Sequence, residues 1–349
     1  MSDRLVIALD AMGGDKAPEV VIDGAEIARE RFPDISFLMF GDQPRIESLV
    51  RKHPKLALVS EFRHTTQVVK SEDKPSIALR SARESSMRLA INAVRDGEAS
   101  SVISAGNTGA LMAIAKFVLK TLPGITRPAI TTYYPTMRGE SCMLDLGANV
   151  QCDAENLVQF AVMGEVFART VLGIEEPTIG LLNVGVEALK GSDEVREAAA
   201  ILNETPLPIE FMGFVEGDDI PAGTVDVFVT DGFTGNIALK TAEGMTKLYT
   251  SFLKEAFSSS LSAKIGYFFI RRALSNLRKR TDPRRYNGAM LLGLNGIVVK
   301  SHGGTDSVGF ANAIGVGVDM AQHGFISKMK QDFERLKDGQ NEQKKAAVS

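Results

Sequence analysis

The sequence predicts an α/β fold: a mostly parallel sheet, doubly wound with helices. Short apolar runs of strand length alternate with longer segments of helical period, which is the pattern of βαβ units. Loops rich in Gly, Asn, Thr and Asp follow several of the apolar runs, where strand-to-helix junctions of such sheets carry their ligands. With 349 residues, 44% hydrophobic and 24% charged, the chain can bury an extensive core. No repeat of fixed period and no Pro- or Ser-rich linker divides it, so residues 1–336 read as a single α/β domain.

Leu5 to Leu9 opens the series as a strand. The helix Pro18 to Arg31 follows, with Pro18 in the first turn, where its missing N–H would be unpaired anyway. Phe37 to Phe40 and Leu56 to Val59 read as strands, Pro75 to Ala93 as a helix, Val102 to Ser104 as a strand and Thr108 to Leu119 as a helix. Strands at Ala129 to Tyr133 and Cys142 to Leu146 precede a helix over Asn156 to Thr170. Ile179 to Val184, Ile209 to Met212 and Val225 to Thr230 are strands, Phe233 to Leu253 is a helix, and Ile297 to Val299 is the last strand. From Lys337 the chain has almost no apolar residues, so 337–349 reads as a flexible tail.

A formal net charge of -3 gives no electrostatic reason to expect nucleic-acid binding. The two cysteines, Cys142 and Cys152, form no CxxC pair and have no histidine at metal-ligand spacing, which argues against zinc and against a disulfide framework. The expected compartment is the reducing cytoplasm. The N-terminus enters a strand at once without a signal-like apolar region, and no apolar run approaches the roughly 20 residues that cross a bilayer.

Six loops carry the chemical signal. They are Asp10 to Asp15 (DAMGGD), Ser104 to Ala110 (SAGNTGA), Asp145 to Asn149 (DLGAN), Asn183 to Lys190 (NVGVEALK), Thr230 to Asn236 (TDGFTGN) and Lys300 to Ser307 (KSHGGTDS). Glycines let backbone amides approach an anion closely, and the helix that follows adds unpaired N–H groups at its positive end. One such loop could be an ordinary turn; six at strand ends point to a phosphate-binding rim. No GxxxxGK[ST] motif is present, and Gly315-Val316-Gly317 lacks the third glycine and preceding strand of a dinucleotide fingerprint. His302, inside a Gly/Ser/Thr loop beside Lys300, is placed for proton transfer or anion contact, whereas His53, His64 and His323 sit in polar surroundings. Cys142 within an apolar strand reads as a buried thiol. Asp10, Asp145 and Asp231 each follow a strand and read as turn caps rather than as a metal cluster.

Ser258 to Arg285 stands apart. Eight basic residues, Lys264, Arg271, Arg272, Arg278, Lys279, Arg280, Arg284 and Arg285, face one acid, Asp282. Leu261, Ile265, Phe268 or Phe269, Ala273, Leu274 and Leu277 approximate one helical face. A dimer-packing helix with a solvated basic rim, an anionic bilayer contact and an acidic carrier-protein contact all fit this pattern.

Together, in this order, the motifs Asp10 to Asp15, Ser104 to Ala110, Asp145 to Asn149, Asn183-Val-Gly, Thr230 to Asn236 and His302-Gly resemble those of the bacterial phosphate acyltransferases. That family converts acyl-acyl-carrier-protein and inorganic phosphate into acyl-phosphate for phospholipid synthesis. The match runs from about Leu5 to about Met320; Lys16 and Val186 depart from the family's more frequent His and Thr.

The resemblance implies a three-layer α/β/α sandwich related to the isocitrate/isopropylmalate dehydrogenase-like fold, with 250–285 as a projecting dimer- or membrane-facing segment. It implies a homodimer, peripheral on the membrane beside the membrane-bound glycerol-3-phosphate acyltransferase, with no cofactor and no metal. The chemistry of phosphate attack on a thioester assigns expected roles to residues in and beside these motifs. Lys190, Lys240, His302 and Asn236 are the catalytic candidates. Asp10, Gly13, Gly14, Ser104, Gly106, Asn107, Thr108, Asp145, Asn149, Asn183 and Asp231 line the phosphate and substrate site. The competing readings are a decarboxylating dehydrogenase of related fold, which needs NAD(P) and a metal, and a non-catalytic carrier- or membrane-binding module.

Overall fold

The computed structural model describes residues 4–205, 209–280, 282 and 284–346, apart from the side chains of 276–280 and 337–346. Its centre is one sheet of eleven strands. In chain order they are β1 (Leu5–Asp10), β2 (Ile35–Gly41), β3 (Ser60–His64), β4 (Ser101–Ser104), β5 (Ala129–Pro135), β6 (Glu140–Leu144), β7 (Thr178–Leu182), β8 (Glu210–Val215), β9 (Val227–Val229), β10 (Ala289–Leu292) and β11 (Ile297–Lys300). Their spatial order is β3-β2-β1-β4-β11-β10-β5-β6-β9-β7-β8.

Alternation of side chains along these strands builds two cores, one on each face. Ile7, Leu9, Phe37, Met39, Ile103, Leu144 and Val299 point to one face, beneath the helices Glu19–Arg31, Ala154–Phe167 and Ser307–Gln322. Ala8, Leu38, Phe40, Val102, Met143 and Val298 point to the other, beneath Pro75–Ser81, Ser86–Arg95 and Thr108–Leu119. The strands are apolar at consecutive positions because both faces are covered.

Strand direction divides the sheet. β3, β2, β1, β4 and β11 are mutually parallel. The pairs β11–β10, β10–β5 and β5–β6 are each antiparallel. β6, β9, β7 and β8 are again mutually parallel, now pointing the opposite way. A single rim therefore does not hold all six loops. Those after β1, β4 and β11 lie at one edge, and those after β6, β7 and β9 lie at the opposite edge.

Local differences from the sequence reading have local causes. The expected helix over Pro75 to Ala93 breaks at 82–85, where Ser85 accepts from Arg88 N at 3.3 Å and starts a second helix. Leu56 to Val59 is not a strand: Pro54–Ala57 is one helical turn, and the strand comes at Ser60–His64. β10 is additional, a four-residue run after Gly288. The helix expected at Phe233 to Leu253 runs from Gly232 to Ser258 and is followed by a second one, Leu261–Arg280. Backbone helix also continues from Phe325 to Ala346 through the segment expected as a tail.

Candidate active site

At the first edge, β1 delivers Asp10 into the interior, 1% exposed. Its Oδ1 accepts from Ser86 Oγ and its Oδ2 from Ser104 Oγ, both at 2.6 Å. Burial pushes the Asp10 pKa up, and the two hydroxyls pull it back. Ser104 Oγ also accepts from Gly106 N at 3.1 Å. Gly13 fits against this cluster only without a side chain: a Cβ there would collide with Asp10 Oδ2 and stand 2.8 Å from Gly106 N. Gly14, at φ +110, and Gly303 complete the contact, with Asp15 N donating to Gly303 O at 3.0 Å. The three loops thus form one packed unit that presents glycine backbone.

Lys300 lies behind them at the end of β11. Its Nζ donates to Ala105 O at 3.3 Å and to Ser301 O. Burial lowers its pKa to about 8, with Asp10 and Asp15 pulling it upward. His302 is exposed on the same loop. Its backbone N–H donates to Asn287 Oδ1 at 2.9 Å, and its Nδ1 accepts from Gly304 N at 3.1 Å. That leaves Nε2 to carry the proton of the neutral ring. Asn107 is committed elsewhere: Nδ2 donates to Lys70 O, Ser71 O and Asp73 O, and Oδ1 caps the helix Thr108–Leu119 through Ala110 N at 3.0 Å. Thr108, the first residue of that helix, is exposed.

At the second edge, Asp145 is fully buried. Its Oδ1 accepts from Ile130 N at 2.9 Å and Ala148 N at 3.1 Å; its Oδ2 accepts from Asn149 N at 2.6 Å and Asn149 Nδ2 at 3.0 Å. This carboxylate ties the loop after β6 to the start of β5. Gly232 N donates to Asn149 O at 2.7 Å, which joins the loop after β9. Asp231 caps the next helix, accepting from Thr234 N at 2.9 Å and Thr234 Oγ1 at 2.8 Å. A Cβ at Gly147, which has φ +123, would stand 3.6 Å from Asn236, the exposed fifth residue of that helix.

Asn183 Nδ2 donates to Lys190 O at 3.1 Å and so shapes the loop that exposes the Lys190 side chain. Among the described residues Lys190 has no ion-pair partner, whereas Lys240 Nζ pairs with Glu243 Oε2 at 2.8 Å. The candidates therefore sort into framework groups, Asp10, Ser104, Asn107, Asp145, Asn183 and Asp231, and side chains open to solvent, Thr108, Lys190, Asn236, Lys240 and His302.

Burial pushes the Cys142 thiol up, and that of Cys152 up to about 12, so neither is a thiolate near neutral pH. His53 meets Asp23 Oδ1 at 3.1 Å, His64 Nδ1 accepts from Gln43 N, and His323 Nδ1 contacts Asp319 O on its own helix. Among the described residues, no group of three or more His, Cys, Asp and Glu could hold a metal ion. No described helix is long and apolar enough to cross a membrane.

Two contributors escape a sequence reading. Ser86 holds Asp10 from a helix start that looks like mid-helix in sequence. Asn287 orders the His302 loop through Ser301 Oγ at 2.8 Å, Gly309 O at 2.7 Å and His302 N. Its only sequence signal is the turn-prone Asn-Gly pair before an apolar run.

A family model described as fatty acid synthesis protein matches residues 5–328. The phosphate acyltransferase of Rhodospirillum centenum is 65% identical over 336 residues, covering 96% of this chain and 95% of its own. That of Paramagnetospirillum magneticum is 61% identical over 337 residues, covering 97% and 96%. Among solved structures, a phosphotransacetylase from Streptococcus pyogenes superposes with a TM-score of 0.61 at 16% identity, over 92% of this chain and 95% of its own. The EutD phosphotransacetylase from Staphylococcus aureus gives 0.56 at 17%, over 92% and 94%. These two likenesses show a shared fold. With its family model spanning nearly the whole chain and curated members this close in sequence, the chain belongs to the fatty acid synthesis protein family.

Proposed function

We infer that the protein is a phosphate acyltransferase: it transfers an acyl group from an acyl-carrier-protein thioester to inorganic phosphate, giving acyl-phosphate and the free carrier thiol in a reversible reaction. The supporting observation is the first loop group. Gly13 and Gly106 let the loops pack closely, and the Gly14 turn, the helix start at Thr108 and the buried cation of Lys300 behind them place positive potential there for an oxyanion. The hydroxyl beside it, Ser104 Oγ, donates to Asp10, and Cys142 is sealed in the core. Phosphate itself is then the nucleophile.

One phosphate oxygen attacks the thioester carbonyl carbon. The tetrahedral oxyanion collapses, the C–S bond breaks as the C–O–P linkage is completed, and the carrier thiolate leaves and takes a proton. Alignment and fixed hydrogen-bond donors provide most of what such a step needs. His302 and Lys190 are the groups assigned to charge neutralisation and to protonation of the thiolate, with Asn236 as a neutral donor and Lys240 as a further cation.

The reading includes a homodimer. The first loop group, with His302, and the second, with Lys190 and Asn236, follow strands that run in opposite directions in one sheet. A two-fold dimer that sets the first group of each protomer against the second group of its partner completes two equal sites. The helices Gly232–Ser258 and Leu261–Arg280 supply an apolar surface for assembly, with Met245, Leu248, Phe252 and Leu253 exposed. Phe268 and Phe269, 58% and 77% exposed beside Arg271 and Arg272, suit an anionic bilayer.

The architecture is then a three-layer α/β/α sandwich of the isocitrate/isopropylmalate dehydrogenase-like kind with this hairpin projecting. The protein works in the cytoplasm at the membrane surface, beside the membrane-bound enzyme that acylates glycerol 3-phosphate. The test is incubation with acyl-acyl-carrier-protein with and without phosphate. Thiol release that depends on phosphate, with acyl-phosphate trapped as the hydroxamate, is expected; thiol release independent of phosphate, or none, overturns the assignment.

A further inference from the structure

A strip of uncompensated positive charge lies on the helices that cover the β1–β4 face, away from the Ser258 to Arg285 segment. Phe117 is 53% exposed near the end of the helix Thr108–Leu119. Two cations flank its ring: the Arg88 guanidinium at 5.3 Å from the centroid and Lys120 Nζ at 4.8 Å. Arg83, on the connection before the helix Ser86–Arg95, and Lys116, one turn from Lys120, extend the strip. Among the described residues, none of Arg83, Arg88, Lys116 and Lys120 has an ion-pair partner, although Arg29, Arg63, Arg95 and Arg169 elsewhere do. Partial burial lowers the Arg88 pKa, and the neighbouring Arg95 and Arg83 add to the effect. Among the described residues Asp96 pairs with Arg95 alone, and an anionic partner would meet the four cations that stay without an ion pair.

We propose that Arg83, Arg88, Lys116, Phe117 and Lys120 form the docking surface for the acidic acyl carrier protein. This rests on the proposed reaction, whose donor is carried by such a protein. Charge complementarity favours it: the strip presents four cations and one aromatic anchor on two packed helices, the form of an electrostatically steered protein contact. Position favours it too. The helix Thr108–Leu119 begins at the first loop group, and its last turn carries Lys116 and Phe117. Twelve residues span about 18 Å at helical rise, so a carrier seated at one end can lay its extended prosthetic arm toward the loops.

The test reverses charge at two exposed residues outside the loops, Arg83→Glu with Lys116→Glu, in the full-length protein, with circular dichroism as the folding control. KM for acyl-acyl-carrier-protein should rise about tenfold or more, the effect of like charges at an interface, while KM for phosphate and kcat with a carrier-free acyl-pantetheine thioester stay at wild-type values. Labelled holo-carrier protein should bind the wild type with an affinity that falls as salt rises and should bind the variant at least about tenfold more weakly. Unchanged carrier affinity overturns the proposal. So does loss of binding to vesicles containing anionic phospholipid with carrier affinity kept, which assigns the strip to membrane. Failure of the wild type to make acyl-phosphate from either thioester refutes the reaction instead, and the binding arm then decides the docking surface on its own.

Discussion

Replacing Asp145 with alanine separates a framework role from a ligand-binding one. The buried carboxylate receives four donors: the backbone N–H groups of Ile130, Ala148 and Asn149 and the Asn149 side-chain amide. A hydrogen bond to a charged group is worth about 1.5–3 kcal/mol net, and an orphaned buried donor costs about 1–3 kcal/mol. Burial offsets part of this, because it raises the Asp145 pKa against the pull of the same donors. The four bonds share one acceptor and are not additive, so the expected loss is about 3–5 kcal/mol, a large fraction of the roughly 5–15 kcal/mol that holds a typical protein folded.

Urea unfolding of the full chain reads this as a lower midpoint at similar slope. Asp145→Asn should fall between alanine and wild type, since it keeps one acceptor oxygen but turns an N–H toward the Asn149 donors. A loss under about 0.5 kcal/mol for the alanine variant, the range of ordinary surface substitutions, would refute the framework role; activity lost at unchanged stability would return Asp145 to the substrate.

Three further outcomes follow from the same geometry. Mixing refolded His302→Ala and Lys190→Ala chains, each nearly inactive alone, should restore about a quarter of wild-type acyl-phosphate formation if the proposed two-fold dimer forms, because half of such dimers are mixed and each would hold one intact site; no recovery would place both groups in one protomer. Lys300 has a folded pKa near 8 against an ordinary 10.5. Below pH 8 both states carry the proton and the folded state bears the full cost of a buried cation. Between pH 8 and 10.5 only the unfolded state stays protonated, so stability rises with pH by on the order of 3 kcal/mol relative to Lys300→Met; a pH-independent difference in urea midpoints contradicts this. Phe268→Glu with Phe269→Glu should abolish cosedimentation with anionic liposomes while leaving the helical circular dichroism intact, and undiminished binding would remove these rings from the membrane contact.

Much of the sheet was legible because strands buried on both faces need unbroken apolar runs such as Leu5 to Leu9, and because strand-to-helix turns need Gly, Asn and Asp. Direction was not legible. Nothing in Cys142 to Leu146 says that it runs against β5, or that a four-residue strand from Ala289 will pair between β11 and β5, so the division of six loops between two edges appears only in the pairing. Side-chain commitment was equally hidden. Asn107 and Asn236 both stand in Gly/Asn/Thr loops, yet one is tied to three carbonyls and a helix cap while the other is open to solvent. Ser86 and Asn287 act across 76 and 15 residues of sequence, respectively, and no local pattern reports such a contact.

In the proposed reaction phosphate attacks the carrier-bound thioester directly. Incubation with acyl-acyl-carrier-protein and phosphate labelled with oxygen-18 at every oxygen tests it most directly, with mass spectrometry of the acyl-phosphate and a simultaneous count of carrier thiol. One free thiol per acyl-phosphate is expected, with every phosphate oxygen, the bridging one included, still carrying label. Fatty acid bearing solvent oxygen in place of acyl-phosphate, or acyl-phosphate whose bridging oxygen is unlabelled, would contradict it.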